Sequence, residues 1–469
     1  MFDAAVRLNQ QVEVEREAFS SVDRNIIGAL VLGALAIRWL STGGPVLGDE
    51  SWYLYLARSF GSEPAAAADN AWFHLLNRPL YYGVFHFGTF AGFTGFRWFA
   101  SVVGAVSIAL VYVVARRLGA TYVSAACVAA ALAIQREVVE YSAHGFPDPL
   151  ASIFALLALL CAVRQRAALT FLLASCCVLS KESFVFLPFI VTYLRLSADG
   201  RRALRLDPWA WATVLLPTAY VGLVTLIGAR TQGIALQGWA NTPMSWKHAH
   251  GMWIGPELWP VIAWCVWARH KTWLLIWLGL PAFYVLWSFG LGRGLAPWYV
   301  IGPASLSAVA VSLAVSEIGR QVRQRFGRVR ARLLSIALLT LLVPVVWSGI
   351  LRCGSQLLVL RDRWPTADAG AEVQALLRGK NAARVLLVNC FWSFGYSHLR
   401  SPSTPADRAY WPANGDLSTL RAAAMASQVT IVCRSPDAEA QEQNLASSEF
   451  QTLLRDERYW VLERNCRRW

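Results

Sequence analysis

The sequence predicts a mainly α-helical, polytopic membrane protein, and the prediction rests on composition, the length of the apolar runs and the positions of the basic residues. Of the 469 residues, 56% are hydrophobic and only 15% are charged. A soluble globular chain carries roughly 25% charged residues, and the mean hydropathy here is +0.41. The chain therefore has too few charged residues to cover a surface that faces water.

Apolar runs recur along most of the chain. A helix needs roughly 20 apolar residues to cross the hydrocarbon core, and by that measure we predict about eleven transmembrane helices. They lie near residues 25–41, 97–116, 121–136, 148–164, 167–180, 183–197, 208–229, 252–268, 272–290, 298–316 and 333–352.

Basic residues indicate which helix ends face the cytoplasm. Every second connection is rich in Arg or Lys, and the clearest run extends from Arg320 to Arg332. Basic loops stay in the cytoplasm. Residues 1–24 are typical of an amphipathic cytoplasmic segment rather than a removable signal peptide. An odd number of spans then places the C-terminus outside. The net charge of +14 is explained by these loops and does not indicate nucleic-acid binding.

Three regions are too long or too polar to be turns, and all three fall on the outer side. The first, 42–96, contains the aromatic stretches SWYLYLARSF and RPLYYGVFHFGTF, which are typical of helices that lie in the membrane interface. The second is 230–251. The third is the C-terminal segment from about residue 353.

The C-terminal segment alternates apolar runs with a helical pattern. AEVQALLRG has helical periodicity and ends in Gly, whereas RVLLVN and QVTIVC are short β-branched runs typical of buried strands. We therefore predict a transmembrane catalytic domain at 1–352 and a small α/β domain at 353–469 outside the membrane. No nucleotide-type glycine-rich loop follows either strand, so no catalysis is assigned to this domain.

The cysteines agree with that division. Five of the nine fall in predicted spans, where they pack as small hydrophobes. The other four are Cys353, Cys390, Cys433 and Cys466. An even number in an oxidising compartment permits two disulfides, and four buried free thiols are an equal alternative.

Ionisable residues gather at the predicted outer ends of the helices. Charged groups at membrane depth are costly, so they indicate function by default. Transfer of a group from a lipid phosphate to a hydroxyl needs a base near the acceptor and cations for the departing phosphate. A carboxylate suits the first task, and Lys or Arg suits the second. The candidates are Asp49, Glu50, Asp148, Arg78, Lys181 and Arg293.

The order of these motifs resembles the GT-C superfamily of polyprenyl-phosphate-sugar-dependent glycosyltransferases, particularly the protein O-mannosyltransferases and the lipid A aminoarabinose transferases. Asp49–Glu50 match the acidic pair of that family's first outer loop, and RPLYYGVFHFGTF leads into the second span. Asp148 in PDPLASIF matches an Asp that opens span four, and Lys181 in LSKES matches a Leu-Thr-Lys-Gly-like turn. GRGLAPWYV supplies an Arg, Arg293, and an aromatic residue before a late span. The resemblance covers about residues 25–316.

The resemblance implies an inverting membrane glycosyltransferase that transfers a sugar from a polyprenyl-phosphate-linked donor to a hydroxyl acceptor at the outer face. Asp49 would be the general base, Glu50 would support it, and Asp148 would position the substrate or the base. The donor phosphate would be bound by Lys181, Arg293 and Arg78. The implied partners are the donor, the lipid bilayer and a glycan, lipid or protein acceptor, in the plasma (inner) membrane of a bacterium.

No cofactor is expected, because no His-x-x-x-His or similar metal-ligand spacing is present. A bound divalent cation stays an alternative. His74, His86 and His144 lie on the same predicted side as the acids, and some relatives with this fold are thought to use a metal.

Simpler interpretations of the same residues stay open. Asp49 and Asp148 would also suit helix starts, and Arg78 and Arg293 would also suit the membrane interface.

Glu182 stands where the family has Gly, and its charge would pair with Lys181 and weaken the contact with phosphate.

Two other functions remain as alternatives. A secondary transporter would need polar breaks at the bilayer midplane and repeated halves. A non-enzymatic assembly or scaffold protein would work through its C-terminal domain.

Overall fold

The structure is a computed structural model, and the residues that it describes are 20–42, 50–60, 75–199, 207–232, 282–284, 297–340, 347, 351, 376, 384–388, 407–411, 417–433, 439–455 and 459–465. Contacts divide the chain into two units. The first unit comprises Met1–Thr42, Ala66–Gly88 and Arg97–Leu357, and the second comprises Gly43–Ala65, Thr89–Phe96 and Leu358–Trp469.

The described part of the chain is mainly helical, as its composition predicts. Its helices up to residue 340 are α1 (Ser21–Ser41), α2 (Glu50–Ser59), α3 (Pro79–His86), α4 (Gly92–Arg117), α5 (Tyr122–Ala133), α6 (Arg136–Ala143), α7 (Asp148–Val163), α8 (Ala167–Ser180), α9 (Leu187–Asp199), α10 (Pro208–Gln232) and α11 (Ile301–Thr340). Short 3-10 helices lie at Phe87–Ala91, Glu182–Phe184 and Pro297–Val300. Helices α1, α4 and α7 to α10 begin and end within a few residues of the predicted spans, because each follows one apolar run. Helices α2 and α3 are the short helices expected in the first outer loop.

Helices α5 and α7 both pack against α11, and all three contribute residues to the core of the first unit. The apolar stretch in Ile301–Gln324 of α11 is 94% buried inside the protein, whereas the one in Pro208–Ile227 of α10 is only 28% buried. This part of α11 is therefore surrounded by protein. Helix α10 presents most of its apolar surface outward, where a membrane protein meets lipid.

Among the described residues, three helices are long and apolar enough to cross a membrane: Thr94–Arg117, Pro208–Ile227 and Ile301–Gln324. The bent pair α5 and α6 makes a fourth when it is taken as one span. Helices α7 and α8 are apolar but shorter. The spans predicted at 252–268 and 272–290 fall almost wholly outside the described residues, so the total of about eleven stays a prediction.

Two span boundaries differ from the prediction. The span predicted at 121–136 ends at Ala133, and α6 follows at an angle of 63°, because Gln135 has an extended backbone and begins a new helix. The spans predicted at 298–316 and 333–352 are joined in α11, which continues to Thr340. Its helical backbone is interrupted at Gly327, where φ is 85°, a conformation that glycine adopts without steric cost.

The described residues of the C-terminal segment, within the second unit, form a five-stranded mixed sheet. Its strands are β1 (Arg384–Val388), β2 (Asp407–Trp411), β3 (Val429–Cys433), β4 (Phe450–Arg455) and β5 (Tyr459–Arg464), in the order β2-β1-β3-β5-β4. Strand β1 pairs in parallel with β2 and β3, whereas β5 pairs antiparallel with β3 and β4. Two helices, α12 (Leu417–Met425) and α13 (Glu439–Leu445), contribute Leu420 and Leu445 to the core of the sheet.

The two strands that the sequence predicts in this segment are present as β1 and β3. Most of AEVQALLRG lies outside the described residues, and so do Cys353, Cys390 and Cys466. The choice between disulfides and free thiols therefore stays open, and the domain boundary at residue 353 stays a prediction.

Candidate functional site

Two buried charges of opposite sign face each other at the ends of neighbouring helices. Asp148 is the first residue of α7, and Lys181 follows the last residue of α8. A tight connection between these helices brings the start of α7 beside the end of α8. Lys181 Nζ lies 3.8 Å from Asp148 Oδ2, and both side chains are buried. Neither carboxylate oxygen of Asp148 accepts a hydrogen bond from the residues that the structure describes, so the attraction to Lys181 is ionic.

A second ion pair joins Arg78 to Glu182. Arg78 stands immediately before α3, and Glu182 opens the 3-10 turn after Lys181. Arg78 Nε donates to Glu182 Oε2 at 2.6 Å, and Arg78 Nη2 donates to Glu182 Oε1 at 2.7 Å. Two parallel bonds of this kind are the strongest form of Arg–carboxylate contact. The sequence suggested Lys181 as the partner of Glu182; the structure instead pairs its carboxylate with Arg78.

Arg78, Asp148, Lys181 and Glu182 together form what we call the charge cluster. Arg78 and Glu182 both act electrostatically on Asp148, and Lys181 acts on both carboxylates. Burial alone would raise the pKa of the Glu182 carboxyl, but Arg78 and Lys181 outweigh burial and hold that pKa well below its usual range. Glu182 is therefore ionised. Counted as ion pairs, the four residues carry two positive and two negative charges.

Two tyrosines that the sequence did not single out lie beside the charge cluster. Lys181 Nζ is 5.0 Å from the centroid of the Tyr299 ring, a distance at which an ammonium group is attracted to an aromatic face. The hydroxyls of Tyr284 and Ser183 are 3.1 Å apart and share a hydrogen bond. The two tyrosine rings are 5.6 Å apart. Tyr299 belongs to the aromatic motif before the late span, but its place beside Lys181 depends on tertiary packing.

A contact between α3 and the turn before α7 brings Arg78 towards the start of α7. The Tyr81 hydroxyl donates to the carbonyl of Gly145, in the turn that precedes Asp148. Gly145 has a φ of 73°, which favours glycine. The RPLYY and GFPDP motifs, which are far apart in sequence, are thus joined in space. This explains how Arg78 and Asp148 come to belong to one cluster.

The charge cluster lies at the opposite end of the helices from a set of arginines that we call the basic end (Arg117, Arg164 and Arg195). Asp148 begins α7, whereas Arg164 follows its last residue. Arg117 acts electrostatically on Arg164, and the side chain of Gln165 donates to the Arg195 carbonyl. Cationic residues therefore lie at one end of these helices and the charge cluster at the other, and which end faces the cytoplasm stays a prediction.

Three of the six predicted site residues belong to the charge cluster. Asp49 and Arg293 fall outside the described residues. Glu50 is the first residue of α2 and is buried, but it belongs to the second unit. The roles assigned to all six stay predictions.

Within the described residues, no group of three or more His, Cys, Asp or Glu side chains has the geometry to hold a metal ion. Of the histidines considered for such a site, His86 is exposed, His144 is buried and His74 falls outside the described residues. The expectation that no cofactor is needed stays a prediction.

The overall architecture matches solved structures, although no family model and no curated protein matches the chain in sequence. One match is the crystal structure of ArnT from Cupriavidus metallidurans bound to undecaprenyl phosphate. It has a TM-score of 0.56 and 15% identity, over 93% of this chain and 97% of that one. The chain has a GT-C fold.

A second match is a cryo-EM structure of a mutant of the arabinofuranosyltransferase AftD from Mycobacteria. Its TM-score is 0.54 and its identity is 12%, over 94% of this chain. The chain spans only 41% of the length of AftD. At these identities the likeness is one of fold, and it confirms the fold that the resemblance to the GT-C superfamily implied.

Proposed function

We propose that the chain is a membrane glycosyltransferase that moves a sugar from a polyprenyl-phosphate-linked donor to a hydroxyl acceptor. The observation that carries the proposal is the buried charge cluster at one end of a GT-C helix bundle. Two of its members, Lys181 and Arg78, are cations of the kind that bind phosphate. A protein with the same fold, ArnT, was crystallised with undecaprenyl phosphate.

A purely structural role explains the cluster poorly. Burying an ion pair costs desolvation free energy that its attraction often fails to recover, and apolar residues of similar size are frequently as stable. Here two ion pairs, Lys181–Asp148 and Arg78–Glu182, lie together at the same helix ends. Charged groups retained at such a cost inside a membrane protein mark substrate sites. The tyrosine beside Lys181 adds an aromatic face of the kind on which a sugar ring can stack.

In the proposed reaction Asp49 removes the proton from the acceptor hydroxyl, and the resulting oxygen attacks the anomeric carbon of the sugar. The bond between that carbon and the phosphate oxygen breaks, and the polyprenyl phosphate leaves with the bonding electrons. Attack from the face opposite the leaving group inverts the anomeric configuration. Glu50 supports Asp49 in this scheme.

Three cations, Lys181, Arg78 and Arg293, receive the leaving phosphate. Their charges stabilise the negative charge that develops on the phosphate oxygen. Electrostatic stabilisation of this kind is usually the largest single contribution to catalysis. Asp148 acts as a positioning residue, because its carboxylate lies 3.8 Å from the Lys181 ammonium and restricts where that ammonium can go.

The proposal includes a location. The site lies at the outer face of a bacterial plasma (inner) membrane, with the N-terminus in the cytoplasm and the C-terminal α/β domain of 353–469 outside. Support comes from the separation of the charge cluster from the basic end, since basic helix ends face the cytoplasm.

The function is tested in membranes from cells that express the full chain, with a radiolabelled polyprenyl-phosphate-linked sugar and release of polyprenyl phosphate as the readout. Asp49→Asn is expected to abolish release, whereas Glu317→Gln, a change in an ion pair with Arg320 on α11, is expected to leave it unchanged. Full activity of Asp49→Asn would overturn the mechanism. Sugar flux across sealed vesicles without release of polyprenyl phosphate would favour a transporter.

A further inference from the structure

The guanidinium fork of Arg78 is already occupied by a carboxylate of the chain itself. Both bonds to Glu182 are short, at 2.6 and 2.7 Å, and both side chains are mostly buried. Two parallel N–H groups directed at two oxygens are also the geometry in which arginine binds a phosphate. A phosphate that used this fork would therefore meet Glu182 in the same place.

The charge balance of the cluster makes this competition depend on the charge of the ligand. Arg78 and Lys181 are matched by Glu182 and Asp148, so the cluster presents no excess positive charge to an incoming anion. Because the cluster is buried, repulsion by its carboxylates is screened less than it would be in water. Each additional negative charge on the ligand is therefore repelled by the same carboxylates.

We propose that Glu182 is a specificity-determining residue that competes with phosphate for Arg78 and so favours singly charged phosphodiesters over doubly charged phosphomonoesters. This inference rests on the proposed function. In that reaction the lipid-linked sugar donor is a diester with one negative charge, whereas the lipid phosphate left behind is a monoester that approaches two. Glu182 thus permits binding of the diester donor and weakens binding of the lipid phosphate that remains after transfer.

The experiment uses the purified full chain in detergent and two probes that differ by one methyl group on the phosphate and therefore by one negative charge. One is geranylgeranyl phosphate, a monoester, and the other is its methyl ester, a diester. Calorimetric titration at pH 8, where a phosphate monoester carries close to two charges, gives the Kd of each. The quantity compared is the ratio of the monoester Kd to the diester Kd.

The variants separate charge from shape. Glu182→Gln keeps the size of the side chain and can still accept a hydrogen bond from Arg78, and the ratio is expected to fall by about tenfold relative to the wild type. Glu182→Asp keeps the charge and is expected to keep the wild-type ratio. Glu317→Gln, which neutralises a carboxylate paired with Arg320 elsewhere in the bundle, is expected to change neither Kd.

Two results would overturn the inference. An unchanged ratio in Glu182→Gln would mean that the carboxylate does not select by charge. A fall in the ratio in Glu182→Asp as large as that in Glu182→Gln would mean that the shape of the side chain is responsible. Failure of every variant and of the wild type to bind either probe is a distinct outcome, because it removes the lipid-phosphate site of the proposed function and the inference together.

Discussion

Lys181 and Asp148 form a buried ion pair, 3.8 Å between Nζ and Oδ2, at the adjoining ends of two neighbouring helices. They are 33 positions apart in sequence, and they meet because the chain turns back between α7 and α8. A buried pair stabilises a fold weakly, but the loss of one partner is severe because it leaves an uncompensated charge. Variants of this pair therefore separate the contribution of Lys181 to the free energy of unfolding from its contribution to lipid binding.

Replacing Lys181 alone should destabilise the protein more than replacing both partners. Lys181→Met leaves the Asp148 carboxylate buried without its cation, and we expect a loss of about 3–5 kcal/mol in the free energy of unfolding. The double variant Asp148→Asn with Lys181→Met removes both charges and should recover most of that loss. Chemical unfolding in detergent, followed by tryptophan fluorescence, measures both values.

Recovery of stability should not bring back lipid binding. The double variant lacks the ammonium group proposed to hold the phosphate, so we expect its Kd for undecaprenyl phosphate to rise at least about tenfold. A double variant that is stable and binds the lipid as the wild type does would show that the Lys181–Asp148 pair is structural only.

At the basic end, Asp23 should matter for folding and not for lipid binding. Asp23 accepts hydrogen bonds from Ser20, from the Tyr112 hydroxyl and from Arg116 Nε, and it completes the capping box of α1. Asp23→Asn weakens several of these bonds at once, and we expect a loss of about 2–4 kcal/mol. Ser20→Ala, which removes only the cap, should cost about 1 kcal/mol. Unfolding curves test both values. The Kd of each variant for undecaprenyl phosphate should equal that of the wild type, and a changed Kd would contradict a role for Asp23 in folding alone.

Gly302 should tolerate no side chain. It packs against Phe184, and a Cβ at this position would overlap the Phe184 ring. Phe184 ends the 3-10 turn that begins at Glu182, so a displaced ring would also shift the charge cluster. We expect Gly302→Ala to destabilise the protein by about 1–3 kcal/mol and to weaken lipid binding.

The matched control is Gly222→Ala in α10, where a Cβ would meet nothing within 4 Å. Alanine has the higher helix propensity, so this change should cost nothing or stabilise by up to about 1 kcal/mol. Adding Phe184→Leu to Gly302→Ala should recover part of the loss. Equal stability of Gly302→Ala and the wild type would mean that the close contact is absent.

Removal of divalent cations should leave the transfer reaction intact. The two carboxylates of the charge cluster, Asp148 and Glu182, already face Lys181 and Arg78, and the described residues contain no group of three or more His, Cys, Asp or Glu side chains that could hold a metal ion. We expect membranes treated with EDTA to release polyprenyl phosphate at the untreated rate. Loss of activity that Mg²⁺ or Mn²⁺ restores would contradict this, and Asp49 with Glu50 would then be the first ligands to test.

Much of the helical framework could be predicted from the sequence, because apolar runs fix helix positions locally. Helices α7 and α8 begin and end within a residue of their predicted spans at 148–164 and 167–180. The break between α5 and α6 was missed, because an apolar run of sufficient length carries little information on a bend within it. Polar Gln135, whose extended backbone begins α6, was the available signal.

The pairing of side chains was harder to predict than their identity. Charge and the predicted side of the membrane indicate Arg78 and Lys181 as site residues, and both belong to the charge cluster. Adjacency in sequence predicts Lys181 as the partner of Glu182. Its bidentate partner is instead Arg78, 104 positions away, which no local pattern indicates. Tyr299 was missed as a neighbour of Lys181 for the same reason.

The most direct test of the account is photocrosslinking of the full chain in membranes with a polyprenyl phosphate that carries a diazirine in the isoprene unit next to the phosphate. Labelled peptides are identified by mass spectrometry. We expect labels near Arg78, Lys181 and Tyr299, and we expect them to be lost when unlabelled undecaprenyl phosphate competes. Labels confined to the basic end, or labels near the charge cluster that undecaprenyl phosphate does not displace, would contradict it.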